Sequence, residues 1–493
     1  MTEPKMSVRI ASLLLLFALA TGICHAEVFR PLQILLPGNL GGRLASIDRD
    51  LKIKPDLCWR ITEQVESFRK LKDKDCIVIA TGNDSTIYAP FNYLFRGEIE
   101  RDLIKRCNPD ARGLSADDLE MYADSGLSRE IRQHVWTNHE TFDQQTIFTP
   151  FTCLQAGNQR IWYFNFISPE LCRILPLNNW GNLKVDSPKR SLNRLAPDFA
   201  DNDITISTVY LDRPEIEQLA TVFKKVPGWH LIIQVATDKK PALFSTSVPE
   251  QQNNLWFISI ENGHSHLPQI NIFRRNNGWP RLTLRRLAFS KIGGRMADTL
   301  FKEKEKQLKE IVVKPLRVIR PSFQASTSAF SLSPRAYARL IKQTCNSDVT
   351  FLRVAQMQHL VDNVICTGHI LASMENDRIH SFRLSGNELF ELASALVKDS
   401  DTEPTAVAGC EVTWFAGRIS SLKISGQLCR SDKHYLVSTT ERTLSDPALQ
   451  KLAFHDKLRG YEGMTLWKSW TETLKSFQVT DQQLIDPTNY GGK

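Results

Sequence analysis

The chain has no uninterrupted apolar stretch approaching the roughly 20 residues that a helix needs to cross a bilayer, so no membrane span is expected. It has no Cys-x-x-Cys pair, which removes the common zinc-binding spacing. It also has no long block of lysine or arginine, which removes the usual footprint of a nucleic-acid binder. What is present is ordinary globular composition, 42% hydrophobic and 24% charged. A length of 493 residues allows two or three domains at roughly 150 residues each.

Lys5 and Arg9 precede the apolar run Ile10 to Ala20, and Cys24-His25-Ala26 puts small residues at the two positions that determine cleavage. This is the layout of a secretory signal peptide over residues 1–26, so release into the periplasm or outside the cell is expected after Ala26, as a soluble protein. Ile23 before Cys24 argues against a lipid anchor. The formal charge of +8 includes Glu3, Lys5 and Arg9; residues 27–493 keep +7, a weak preference for anionic partners. Ten cysteines include Cys24, which leaves an odd number in an oxidising compartment, so at least one must stay unpaired or pair outside the chain. Cys345, Cys366, Cys410 and Cys429 are placed to pair among themselves, with connectivity open.

The stretch Leu32 to Leu44, LQILLPGNLGGRL, runs from a buried-strand pattern into a Gly-rich turn. Leu57, Ile61, Val65, Phe68 and Leu71 then recur at helical spacing before the apolar strand Cys76 to Ala80, which ends at Thr81-Gly82-Asn83-Asp84. A β-α-β unit follows, with its loops at the carboxyl ends of strands, where α/β folds place chemistry.

These residues resemble the periplasmic 5'-nucleotidase and UDP-sugar hydrolase family of two-domain metallophosphoesterases, whose first strand reads L-x-I-L-H-T-N-D-x-H-G-R-L. Gly42, Arg43 and Leu44 match that pattern, while Leu36 stands at its first His, Asn39 at its metal-binding Asp and Gly41 at its second His. Asn83 stands where the family has the Asp that bridges two metal ions. A carboxylate can give an oxygen to each cation and offset their repulsion, whereas a carboxamide is neutral. Asp84 would need a shift of one residue to substitute.

The family's G-N-H-E-F-D motif, source of a metal-binding Asn and a transition-state His, has two competitors here. Leu114 to Glu120 has the right distance from Asn83 and puts Ala116 and Asp117 at the Asn and His positions. Thr137-Asn138-His139-Glu140-Thr141-Phe142-Asp143 has better letters but comes over twenty residues late. The earlier stretch is preferred because Met121 to Val135 can then supply the helix that the family needs before a strand at Phe148 to Leu154; His139 becomes a solvated loop histidine.

Strands are expected at Arg160 to Ile167, Asp203 to Tyr210, Leu231 to Val235, Leu255 to Ile260 and Trp279 to Ala288. The third ends in Ala236-Thr237-Asp238 where the family has a metal-binding His, and His230 sits at its far end, about 17 Å away at roughly 3.3 Å per residue. Gly263-His264-Ser265-His266 resembles the family's G-H-x-H turn. Two imidazoles can converge on a cation there, or simply order the loop.

Met296 to Val313 has helical composition and suits the connecting helix. The Ser385-Gly386-Asn387-Glu388-Leu389 helix start, the strands Cys410 to Phe415, Ile419 to Ile424 and Tyr435 to Thr439, and a terminal helix at Thr465 to Leu474 follow the family's C-terminal domain. Leu352 to Met357 and Ser445-Asp446-Pro447 replace its substrate loops; Arg353 is near but out of register, and Trp414 and Phe415 are the nearest aromatics to a base-stacking role.

The resemblance implies an α/β (α+β) protein: a metallophosphoesterase-like β-sandwich flanked by helices at 27–293, a connecting helix and linker at 294–321, and a smaller 5'-nucleotidase-like α/β domain at 322–493. Of its seven usual metal-ligand positions only His264 and His266 are unchanged, with Asn39 and Asn83 as neutral relics and Asp84 and Asp117 as substitutes. The expectation is therefore a pseudoenzyme that binds or scaffolds an unidentified protein or small anionic ligand, with no cofactor or at most one manganese or zinc ion. The alternatives are a divergent hydrolase of nucleotides or other phosphate esters, using one metal on His264, His266 and Asp84 or Asp117, and a periplasmic binding module for an anionic ligand.

Overall fold

The computed structural model describes residues 31–41, 44–47, 51–55, 57–71, 76–86, 89–125, 133–141, 148–157, 159–173, 183–195, 197–237, 241–261, 266–273, 280–289, 295–318, 330–331, 334–353, 359–360, 364–373, 377–398, 405–415, 418–458 and 461–476. Leu32–Leu35 is a strand buried at all four positions. It is the middle strand of five because it can hydrogen-bond on both sides. Ile34 pairs in parallel with Ile77 of Cys76–Ala80 and antiparallel with Ile270 of His266–Phe273. Arg281–Ala288 and Ala111–Arg112 complete the sheet at its edges.

A second sheet of six runs in the order Glu250–Gln252, Leu255–Ile260, Trp229–Val235, Ile204–Tyr210, Gln159–Ile167 and Thr152–Ala156. Leu255–Ile260, Trp229–Val235 and Ile204–Tyr210 are mutually parallel and buried along almost all of their length, as expected for strands covered on both faces. Ile34, Ile77 and Ile270 of the first sheet meet Ile206, Leu231 and Ile258 of the second across a shared core. The outer face of the second sheet buries Phe164, Phe166 and Ile232 under the helix Arg213–Phe223, through Ile216, Leu219 and Phe223.

The C-terminal half is built on another five-stranded sheet, ordered Thr405–Ala408, Val349–Arg353, His434–Thr440, Arg378–Ser385 and Tyr461–Thr465. The helix Gly386–Lys398 begins where Ser385 and Glu388 cap each other, with the Ser385 amide and hydroxyl donating to Glu388 at 2.8 and 2.9 Å. Between the halves, Leu308 and Val312 of the helix Arg295–Val312 join one apolar cluster with Leu35, Val78 and Phe68 on one side and Tyr337, Trp467 and Trp470 on the other.

Three expectations need correction. The helix after the first motif is Ala116–Ser125 and not Met121 to Val135, because Ser115 and Asp118 already cap it: Asp118 N donates to Ser115 Oγ at 3.1 Å and Ser115 N to Asp118 Oδ2 at 2.8 Å. The strand expected at Phe148 to Leu154 is Thr152–Ala156. Pro150 cannot donate to a ladder, and Phe148 is instead a buried anchor against Trp136, ring centroids 5.1 Å apart. Cys345, Cys366, Cys410 and Cys429 are not joined to one another by disulfides.

Candidate functional site

The two turns that follow Leu32–Leu35 and Cys76–Ala80 are tied to each other by backbone. Asn39 N donates to Gly82 O at 2.8 Å, Gly41 N to Asn83 O at 2.8 Å and Thr81 N to Pro37 O at 3.0 Å. Asn39 and Asn83 hold positive φ values of 53° and 56°, a conformation that asparagine tolerates better than most residues. Their side chains then meet. Asn83 Nδ2 donates to Asn39 Oδ1 at 2.6 Å, and Asn39 Nδ2 donates to the Ala236 carbonyl at 3.0 Å, at the end of Trp229–Val235. Both carboxamides are buried.

Beneath them Asp118 collects the turn. Its carboxylate accepts the amides of Asn83, Asp84, Ser85 and Ser115 at 2.7, 3.1, 2.9 and 2.8 Å, and the Ser115 hydroxyl at 3.1 Å. Burial raises this carboxyl, and the backbone donors pull against that by favouring the ionised form. Asp84 is raised as well. Its own burial, and then the neighbouring Asp118 charge, push its carboxyl up to about 8, so it is protonated at neutral pH.

A small cleft, open to solvent, lies above this floor. Asn83, Asp117 and Tyr210 wall it from the N-terminal half and Arg378 and Glu441 from the C-terminal half, with Thr237 at the end of the Trp229–Val235 strand. Arg378 is 1% exposed and is gripped by carboxylates: its Nε lies 3.0 and 3.1 Å from the two oxygens of Glu120, and its Nη1 lies 3.0 Å from Glu441 Oε2. Asp117 Oδ1 is 3.7 Å from its Nη2. The floor is braced from the second sheet, where the Tyr210 hydroxyl donates to the Thr81 carbonyl at 2.7 Å.

The residues singled out from sequence scatter around this cleft. Asn83 and Asp117 line it, Asn39 is joined to Asn83, and Asp84 is buried beside them. His266 is the half-buried first residue of its strand, and His264 lies outside the described residues. Among the described residues no three His, Cys, Asp or Glu side chains form a group that could hold a metal ion.

The better-lettered motif belongs elsewhere. His139 is buried, correcting the solvated loop histidine expected from sequence: its Nδ1 faces the Trp136 carbonyl, and its ring packs 5.8 Å from Trp136 and 5.5 Å from Phe148. Burial pushes its pKa down. Asn138 is a structural knot, its Nδ2 donating to the carbonyls of Ile167 and Asp186 at 2.7 and 2.8 Å while its Oδ1 accepts the Ile167 amide at 3.1 Å. Glu140 pairs with Arg194 at 2.7 Å, and Asp143 lies outside the described residues. His230 also serves packing, stacked 4.8 Å from Phe223 with its pKa pushed down by burial to about 4.

In the C-terminal half, Arg353 pairs with Asp446 at 2.5 Å; residues 354–358 lie outside the described set. Phe415 is 77% exposed, and the Trp414 side chain is outside the described set.

No protein-family model matches the chain, and no curated protein sequence does. Solved structures do. A structure described as a candidate 5'-nucleotidase from Staphylococcus aureus, in complex with alpha-ketoglutarate, superposes with TM-score 0.63 at 12% identity, covering 94% of this chain and 97% of that chain. The chain has the two-domain fold of the 5'-nucleotidases. A 5'-nucleotidase precursor from Thermus thermophilus superposes with TM-score 0.54 at 12% identity over 91% of this chain and 97% of that one. The NAD nucleotidase NadN of Haemophilus influenzae gives 0.53 at 12% identity over 90% and 96%. At such identity the likeness carries the 5'-nucleotidase fold alone. No described helix is long and apolar enough to cross a membrane.

Sequence reasoning missed Arg378, Glu120, Glu441 and Tyr210. None sits in a motif of its own. The one available signal was the Leu114 to Glu120 stretch, which already contained Asp118 and Glu120 as well as Asp117.

Proposed function

We propose that this chain is an exported protein of the 5'-nucleotidase fold that binds a protein or small anionic ligand without hydrolysing phosphate esters, its dimetal site having been lost. The observation that carries this reading is the Asn83 to Asn39 hydrogen bond of 2.6 Å, continued from Asn39 to the Ala236 carbonyl at 3.0 Å. Two neutral carboxamides that satisfy one another supply no negative charge to a pair of cations, and two dications a few Å apart repel strongly without a bridging carboxylate. The donor set at Asn39 and Asn83 therefore does not fit a dimetal centre. In this reading residues 1–26 are a leader cleaved near Ala26, residues 27–293 and 322–493 are the two domains, and 294–321 connects them.

The second reading is a divergent hydrolase of nucleotides or other phosphate esters with one manganese or zinc ion on His264 and His266. Asp117 fits its acid better than Asp84, because Asp117 lines the cleft while burial holds Asp84 protonated.

The test is metal content together with turnover. Elemental analysis after incubation with manganese or zinc is expected to find fewer than two ions per chain, and two ions that survive dialysis would overturn the proposal. Purified protein is expected to leave 5'-nucleotides, UDP-sugars and 2',3'-cyclic nucleotides unhydrolysed above background. A weak activity abolished by His264→Ala would establish the second reading, whereas one unchanged by it is a contaminant.

A further inference from the structure

The two halves of the chain are attached to each other in two chemically different ways. Along the Arg295–Val312 helix they share an apolar cluster, and apolar contact is non-directional: it holds surfaces together but tolerates rocking between them. At the cleft the attachment is directional. Arg378, the first residue of the strand Arg378–Ser385 in the C-terminal half, reaches Glu120 on the Ala116–Ser125 helix of the N-terminal half, 258 residues away in sequence. Its Nε is shared between the two Glu120 oxygens at 3.0 and 3.1 Å, and its Nη2 also donates to Glu120 Oε2.

A planar guanidinium meeting a carboxylate through two nitrogens fixes the orientation of both partners as well as their distance. Two further carboxylates define the angle. Asp117, one helical turn before Glu120 on the same helix, comes within 3.7 Å of Arg378, and Glu441, at the start of the Glu441–Leu444 helix of the C-terminal half, accepts from Nη1 at 3.0 Å. The guanidinium is thus clamped between acids of both halves while being 1% exposed.

We infer that Arg378 is the positioning residue that fixes the angle between the two halves and so sets the width of the cleft. Asp117, Arg378 and Glu441 are themselves walls of that cleft, so any change of angle moves them apart. Replacing a buried ion pair with apolar residues often leaves stability unchanged or improved, whereas removing one partner strands a buried charge. Positioning and stability can therefore be separated here.

The experiment compares wild type with Arg378→Lys, which keeps the charge but lacks the planar fork, and with the double variant Glu120→Leu/Arg378→Leu, which removes the most buried pair and leaves Asp117 and Glu441, both partly exposed, to water. Full-length protein is followed by small-angle X-ray scattering and by hydrogen exchange of the Ala116–Ser125 and Glu441–Leu444 segments, with the Ile204–Tyr210 strand as an internal control. Both variants are expected to increase the radius of gyration and to speed exchange at least severalfold in the two cleft segments, with the control strand unchanged. The double variant should do so while melting no lower than Arg378→Lys. An unchanged radius and unchanged exchange in a folded Arg378→Lys protein would overturn the inference, even if the double variant fails to fold. Exchange that rises equally in the control strand would also overturn it, since that is general destabilisation.

Discussion

Tyr210 donates its hydroxyl to the Thr81 carbonyl across 2.7 Å, joining the six-stranded sheet to the turn that carries Asn83. Both residues are buried, so removal of the hydroxyl leaves the Thr81 carbonyl without this partner in a largely buried setting. Tyr210→Phe is therefore expected to destabilise the protein by about 1–3 kcal/mol, read from the urea midpoint. A midpoint within error of wild type would mean that water replaces the hydroxyl.

Asp118 holds the same turn from the other side, and four backbone amides converge on it. An asparagine there would offer one acceptor oxygen and turn an NH₂ group toward amide donors. Asp118→Asn is expected to cost roughly 3 kcal/mol or more, since several buried amide donors would lose their acceptor at once. Chemical denaturation at pH 7 measures this directly, and a loss below about 1 kcal/mol contradicts the assigned role.

Gly82 has φ +84°, and a Cβ on it would lie 2.6 Å from Leu114 Cα, which is backbone and cannot swing aside. Gly82→Ala should accordingly lower stability by several kcal/mol, on the order of 2–4, or abolish expression of folded protein. The same substitution at Gly426, whose φ is +80° but whose Cβ would meet nothing within 4 Å, isolates the conformational contribution and should cost distinctly less.

Burial raises the carboxyl of Asp84 from its ordinary 3.8 to about 8 and that of Glu100 from 4.5 to about 8. In the unfolded chain both lose their protons near pH 4, while the folded chain keeps them until about pH 8. At these two groups the unfolded state therefore binds fewer protons throughout that window, and their contribution to stability falls as pH rises from about 4 to about 8, then levels off, while His139 and His230, pushed down by burial, contribute with the opposite sign. Glu100→Gln should flatten this slope by up to about 1.4 kcal/mol per pH unit. An unaltered slope in the variant would show that Glu100 is ionised in the fold.

Eight cysteines among the described residues are outside any disulfide, and of these only Cys153 is exposed. Burial pushes the Cys107 and Cys410 thiols up to about 12, which suppresses their thiolate forms. A thiol titration without reductant is expected to give one fast-reacting group in the native protein and at least eight in guanidinium. Seven or fewer in guanidinium would reveal a disulfide that the described residues do not contain.

Much of the fold was written in local pattern. The apolar-rich segments Leu32–Leu35, Cys76–Ala80, Ile204–Tyr210, Trp229–Val235 and Leu255–Ile260 are strands that are buried along almost all of their length. The turns that carry Asn39 and Asn83 were legible as strand ends, since an apolar run that meets a Gly-rich stretch can be read one residue at a time. What the pattern could not show is that their carboxamides bond each other. His139 was expected in solvent because its stretch is polar, while its burial is set by packing against Trp136 and Phe148, which the local pattern does not show. Arg378 and Glu120 were invisible for a similar reason: no periodicity links residues 258 apart.

The helix Arg295–Val312 places Leu308 and Val312 in a cluster that also contains Phe68, Tyr337, Trp467 and Trp470. Neither half can therefore bury its own apolar face without the other, and a fragment ending near the helix would present bare aromatic rings to solvent. A substitution on one side of this seam alters the packing of the other, and exchange of either half with a distant relative would have to carry the matching side of the helix with it.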